Sequence, residues 1–442
     1  METALEKITK KLLLFVLMLS AVVGPVLADD TAGMMAGMMP SMKEGGIFLN
    51  PTPVLGQMEL MDVDMQMVMP FAQSHMPMTM LMLHGYGFFE TVAEEGAQRG
   101  RADFSAPNMF MADLGTTLDD HQYLNLDVML TSDLWTVPAT GTPELLQIGE
   151  NQANGQPFID AQHPHSSPIM GLTLSDTFSL ADGDKSALKL FAAPRGESTD
   201  GPIAYMHRIT GMINPDTPLG HHIGQDVGHI TSSVLGESLK LGSFHIESSV
   251  FNGSEPNPTQ VDLPLGPINS FAVRGIEELD TNIMLMASYA WVGTPEPGIA
   301  NDQRYSISLY THTPISDSMT LHNTLIYGGI TNIDNVSQLN SFLDELLLGD
   351  VVGGVFARVE YLQRTPNELG ISGLPNSDTG RWVSAITLGY SHQVVAWDGW
   401  ELRAGLSATN DQVPAEYQAA YEGNPFSYKF FFQLGGTQAY KL

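Results

Sequence analysis

From about residue 78 onward the chain repeats one unit, an alternating segment of roughly ten residues followed by a turn. The turns are of two kinds, and the kinds alternate. Asp119-Asp120, Ala181 to Lys185, Gly236-Glu237, Leu279-Asp280 and Ala396 to Gly399 are short. Thr91 to Asp103, Asp133 to Ser166, Arg195 to Asp226, Gly253 to Pro267 and Asp411 to Asn424 are long. Strands of that length, with short turns at one end and long loops at the other, predict an all-β fold: a closed antiparallel transmembrane β-barrel. Closure is a physical requirement. At bilayer depth an open edge leaves a row of backbone groups unpaired, at several kcal/mol each. A soluble sandwich or propeller is the competing fold, but it has no need of the alternation in turn length.

The segmentation predicts about 16 strands, an even number as single-chain bacterial barrels have. They fall near 78–90, 105–118, 121–132, 167–180, 186–194, 227–236, 239–252, 268–278, 281–292, 303–312, 318–330, 340–348, 351–363, 381–394, 400–410 and 425–435. Segment 340–348 also reads as a short helix. An even count places both mature termini at the short-turn, periplasmic end.

No run of about 20 apolar residues follows the N-terminus, so no transmembrane helix is expected. The one apolar run, Leu12 to Ala28, follows Lys7, Lys10 and Lys11 and reads as a secretory signal, residues 1–28. Residues 29–77 form a Met-rich, proline-broken arm in the periplasm or lumen, and 78–442 form the barrel. The absence of cysteine excludes disulfides and thiolate metal sites. A net charge of -30 excludes nucleic acid as a partner and suits acidic, solvated loops that concentrate small cations. The expected partners are outer-membrane lipid and the barrel-insertion machinery, in the outer membrane of a Gram-negative bacterium.

Alternation also assigns faces. Phe244, Ile246 and Val250 suit lipid, whereas His245, Glu247 and Ser249 suit a polar lumen. The last strand carries Tyr428, Phe430, Phe432 and Leu434 on one side, similar to the aromatic C-terminal signal of such barrels. A tail, Gly435 to Leu442, is expected to follow it.

Two groups of residues carry metal-binding chemistry. Of 25 methionines, a dense set precedes and opens the first strand, and Met76, Met78, Met80, Met82 and then His84 recur at period two. In an extended chain these thioethers and the imidazole share a face and suit Cu(I). The competing reading is adaptable apolar filler. The second group is histidine: His163, His165, His207, His221, His222, His229 and His245, on successive long loops and adjoining strands. Such residues can converge at one barrel mouth and bind copper, zinc or nickel, with Asp226, Asp160 or Glu247 as oxygen ligand or orienting partner. The alternative is a polar network that pins the loops without a metal.

Several of these motifs carry a resemblance. Met82-Leu83-His84-Gly85-Tyr86, Gln162-His163-Pro164-His165, Ala204-Tyr205-Met206-His207-Arg208, the stretch Gly220 to Ile230 and Val250 to Pro256 occur in the order seen in a family of poorly characterised Gram-negative outer-membrane proteins. The family has Asp after the His-Pro-His triplet where this chain has Ser166, and Gly224 stands as an extra residue. The Met-rich leader resembles outer-membrane copper-resistance proteins in composition. No catalytic residues are assigned, because the Ser/His and Asp/His proximities in this sequence are not specific. The sequence therefore predicts a metal-handling barrel, for copper first, with long loops folded inward. A general or substrate-selective diffusion porin is the alternative.

Overall fold

The computed structural model describes residues 79–442 apart from 97, 120, 152–155, 181–185, 264, 281, 296–300, 317, 333–336, 351 and 398. The signal segment, the Met-rich arm and with them Met76 and Met78 lie outside the described residues.

The strands are β1 (Thr79–Glu94), β2 (Ala102–Ser105), β3 (Asn108–Asp119), β4 (Gln122–Leu130), β5 (Thr142–Asn151), β6 (Pro157–Gln162), β7 (Ile169–Ser179), β8 (Ser186–Gly196), β9 (Thr231–Leu241) and β10 (Phe244–Asn252). They continue with β11 (Ser270–Asp280), β12 (Ile283–Gly293), β13 (Asn301–Pro314), β14 (Thr320–Asn332), β15 (Ser337–Gly349), β16 (Gly353–Arg364), β17 (Arg381–Trp397), β18 (Trp400–Gln412) and β19 (Phe426–Lys441). All but β5 and β6 belong to one antiparallel sheet. β2 and β3 are two halves of one stave. Ala102–Ser105 pairs with the upper part of β1 and Asn108 onward with the lower part, across a break at Ala106-Pro107. The barrel thus has 16 staves, as the sequence predicts. It closes where β1 pairs with β19 from Met80↔Lys441 to Glu94↔Ser427. Leu442 N donates to Thr79 O at 2.8 Å, so the last residue and the start of β1 meet at the short-turn end.

The alternation holds in three dimensions. Phe244, Ile246 and Val250 are 41–42% exposed on the outer wall, while His245, Glu247 and Ser249 are 0–3% exposed inside. Residues 337–349 form a strand and not a helix, with alternate residues out and in.

Two boundaries differ from the sequence expectation. The turn expected at Gly236-Glu237 lies instead at Gly242-Ser243, and the preceding strand runs Thr231–Leu241. Gly236 is mid-strand, where the Phe191 ring of β8 takes the space a side chain would need. A Cβ there would sit 2.2 Å from that ring. The expected tail after residue 435 is part of the strand as well, because Gly435 to Lys441 complete the pairing with β1.

The lumen is filled from within. Residues 197–230 run through it and bond to the wall on many sides. Thr199 meets Ser249 of β10, Ile203 N meets Tyr310 of β13, Met212 O accepts from Gln433 of β19, and Ile223 O accepts from Ser341 of β15. Residues 131–168 carry a short helix α1 (Asp133–Thr136) and the β5/β6 hairpin. Leu145 and Leu146 of that hairpin pack with Leu219, Leu369, Tyr417 and Tyr421 of other loops. Inward folding of the long loops, expected from their length, is what the structure shows.

Candidate metal centre in the lumen

The two inward loops bring five histidines together. His163 and His165 follow β6 in an extended His-Pro-His segment, where Pro164 keeps its predecessor out of helical geometry. The His165 backbone is held by Asp133 Oδ2, 3.3 Å from its N, while Asp133 Oδ1 accepts from Asn108 N at 3.1 Å. The second segment, His221–Gln225, makes a tight irregular turn. Gly224 stands at φ +69°, and a Cβ on it would lie 2.6 Å from Gly329 N of β14. Glycine at this position both permits the left-handed backbone and lets the turn press on the wall. The reversal returns Asp226 and His229 to His221.

The ring centroids of His221 and His222 lie 4.5 Å apart, those of His221 and His229 5.0 Å, and those of His163 and His222 5.6 Å. His165 bridges the group, 5.2 Å from His163 and 5.5 Å from His229. Two sets of donors result, His163 with His221 and His222, and His221 with Asp226 and His229. In each set the ligand atoms lie within 4.8 Å of one another. Two ligands on one tetrahedral ion at ~2.0–2.1 Å are about 3.3 Å apart, so small rotamer shifts close either set. Among the described residues, Nε2 of His222 and Nε2 of His229 are buried with no hydrogen-bond partner. Buried polar atoms are normally satisfied. Two buried imidazole nitrogens in one cluster are thus left with unused hydrogen-bonding or ligating capacity.

Electrostatics prepare the same chemistry. Burial, reinforced by neighbouring histidines, holds His165 and His222 well below the ordinary histidine value, so both are neutral at pH 7 and able to ligate. Burial also opposes charge on His229, but the Asp226 carboxylate outweighs it and raises that imidazole. Burial works against ionised Asp226 in turn, yet His229 and His221 hold it below the usual carboxylate range. His221 Nδ1 lies 3.7 Å from Asp226 Oδ2, and Tyr205 N donates to that same oxygen at 3.1 Å.

The other expected ligands lie elsewhere. His207 lines a separate cavity that Met111 and Met129 also line. In the short 3₁₀ turn Tyr205–His207 it is Tyr205, not His207, that packs on His221 and His229. His245 is inside on β10, its Nε2 3.4 Å from Glu278. Asp160 serves Arg99, Leu146 N and Tyr421, and Glu247 serves Arg274 at 2.7 Å, so neither reaches the histidines. Ser166, which follows the His-Pro-His triplet, donates to Pro258 O at 2.5 Å.

Met80, Met82 and His84 share the inner face of β1 with Tyr86 and Phe88. His84 Nε2 lies 3.1 Å from Asp113. Across the sheet His84 is in register with Met111 of β3, and Met111 with Met129 of β4. These two methionines extend the row across the inner wall, and the sequence reading did not select them.

A closed antiparallel barrel of even strand number, apolar outside and polar inside, defines an outer-membrane β-barrel protein. No family model matches the chain, and no curated protein matches it by sequence. Among solved structures it is similar to the anion-selective porin of Comamonas acidovorans, with 12% identity over 83% of this chain and 100% of that one at TM-score 0.48. OmpF of Salmonella typhi gives 8% identity over 81% and 97% at TM-score 0.49. OprB of Pseudomonas putida gives 10% over 80% and 94% at TM-score 0.47.

Proposed function

We propose that this barrel is an outer-membrane channel whose inward loops bind a transition-metal ion, so that the protein binds or passes metal rather than serving open diffusion. The observation that carries the reading is the convergence of His163, His221, His222, Asp226 and His229 with two buried, unpartnered imidazole nitrogens. Imidazole with one carboxylate suits Cu(II), Zn(II) and Ni(II). Copper is the ion of choice because the chain also offers soft donors. Met80, Met82 and His84 lie on the inner face of β1, and Met76 and Met78 continue their spacing in the sequence.

Metal analysis of the purified protein by mass spectrometry, with titration of Cu(I), Cu(II), Zn(II) and Ni(II), tests the proposal. The variant with His163, His221, His222 and His229 all replaced by alanine should lose Cu(II) and Zn(II) binding and keep Cu(I). A Met80→Leu/Met82→Leu variant should do the reverse, since leucine keeps the apolar volume without the thioether. The rival is a diffusion porin whose histidines form a polar network, favoured by the contacts His229 and His221 already make with Asp226. It predicts no bound metal and a large, unselective conductance.

A further inference from the structure

A second, chemically different site lies between the loops and the wall. A small chamber is lined by Glu94 of β1, Glu144 of the loop hairpin, Asp216 of the lumen-crossing segment, Glu360 of β16, Asp411 of β18 and Lys429 of β19. Among the described residues, Lys429 is the one cation in that lining, and it is already engaged. Its Nζ lies 3.2 Å from Glu90 and closer still to Asp216. Some of the remaining acids accept neutral donors. Glu144 takes Thr217 Oγ1 at 2.8 Å, Glu360 takes Leu219 N at 2.5 Å, and Glu94 takes Arg101 N at 2.9 Å. Asp411 is 2% exposed, lines the chamber, and its Oδ2 has no hydrogen-bond partner among the described residues.

Buried carboxylates in such excess are costly unless protonated or matched by positive charge. We propose that the chamber binds a hard divalent cation of the calcium or magnesium class, which retains part of its water shell. The lining argues for that class. Its polar groups other than Lys429 are oxygen donors, carboxylates with the hydroxyls of Thr387, Thr409 and Ser427, and neither imidazole nor thioether is among them. Spacing argues for the retained water. Among the described residues, the tightly grouped ligand sets are the histidine ones, so these carboxylates reach the ion partly through water. Glu144 and Asp216 come from inward loops, whereas Glu94, Glu360 and Asp411 come from the wall. A bound cation therefore ties loop to wall, at a place separate from the histidines.

The test uses the full chain refolded in lipopolysaccharide-free detergent, stripped with EDTA and exchanged into chelator-free buffer at pH 7.5. Calorimetric titration with CaCl₂ and MgCl₂ should show one saturable site. Asp411→Asn/Glu360→Gln should weaken it at least tenfold and leave Cu(II) titration at the histidines unchanged. Glu144→Gln, on the loop, gives a second variant should the wall substitutions impair folding. The proposal is overturned if the wild type shows no saturable uptake of either ion. It is equally overturned if folded variants titrate as the wild type does. Failure of the histidine site alone shows as lost Cu(II) binding with calcium uptake intact.

Discussion

Asp226 holds the His229 ring twice: Nδ1 lies 2.8 Å from the Asp226 backbone carbonyl and 3.5 Å from its carboxylate. A carbonyl oxygen only accepts, so Nδ1 carries a proton, and Nε2 is the nitrogen that ligates once an incoming ion displaces the proton that Asp226 favours there. This is the arrangement by which a partner orients a metal-binding histidine. Asp226→Asn keeps the backbone carbonyl but removes the charge. Metal affinity should fall about 10- to 100-fold, as loss of such partners typically does. An unchanged titration curve would show that Asp226 serves loop folding alone.

Glu345 anchors the lumen segment to β15. Its carboxylate accepts Arg208 Nε at 3.1 Å and Nη2 at 3.0 Å, Arg358 Nε at 3.1 Å and Thr210 Oγ1 at 2.9 Å, all buried. Glu345→Gln leaves two guanidiniums short of a counter-charge, a loss of about 3–5 kcal/mol for a broken buried pair. The part of that loss borne by Arg208 falls on loop docking, and the part borne by Arg358 on the β15–β16 wall. The expected result is faster protease cleavage within 197–230 and larger single-channel conductance, with the backbone ladder of the barrel intact.

The strands were legible because lipid on one side and a polar lumen on the other force period-two alternation, as at Phe244 to Val250. The loop sites were only half legible. Histidine types and motif positions pointed to metal chemistry, but convergence of His163 with His222 is tertiary. So is the capture of Asp160 by Arg99 and Tyr421, and of Glu247 by Arg274. Gly236 was misread as a turn because a glycine that admits the Phe191 ring looks, in one dimension, like one that bends the chain. The acid chamber left no local motif, since its carboxylates come from three wall strands and two loops.

Gly224→Ala tests the turn that assembles the centre. The substitution must adopt φ near +69° and place a Cβ 2.6 Å from Gly329 N. Strain of that kind costs about 1–3 kcal/mol and displaces His221 and Asp226 from the wall. Cu(II) affinity should drop at least tenfold while the urea midpoint of the barrel stays within error.

Leu388 on β17 faces outward near mid-strand, and Thr387 beside it faces the lumen. Leu388→Arg should cost about 2–4 kcal/mol in refolding into vesicles if that face meets hydrocarbon. Thr387→Arg should not show this depth-dependent penalty. Equal costs at both positions would contradict the assignment of inner and outer faces.

The central claim, that the lumen histidines ligate a transition metal, is tested most directly by electron paramagnetic resonance of the protein loaded with one equivalent of Cu(II). The account predicts nitrogen hyperfine structure from imidazole ligands, simplified in His222→Ala and lost when His163, His221 and His229 are also replaced. A spectrum of hydrated copper, or a nitrogen pattern that these substitutions leave unaltered, would contradict it.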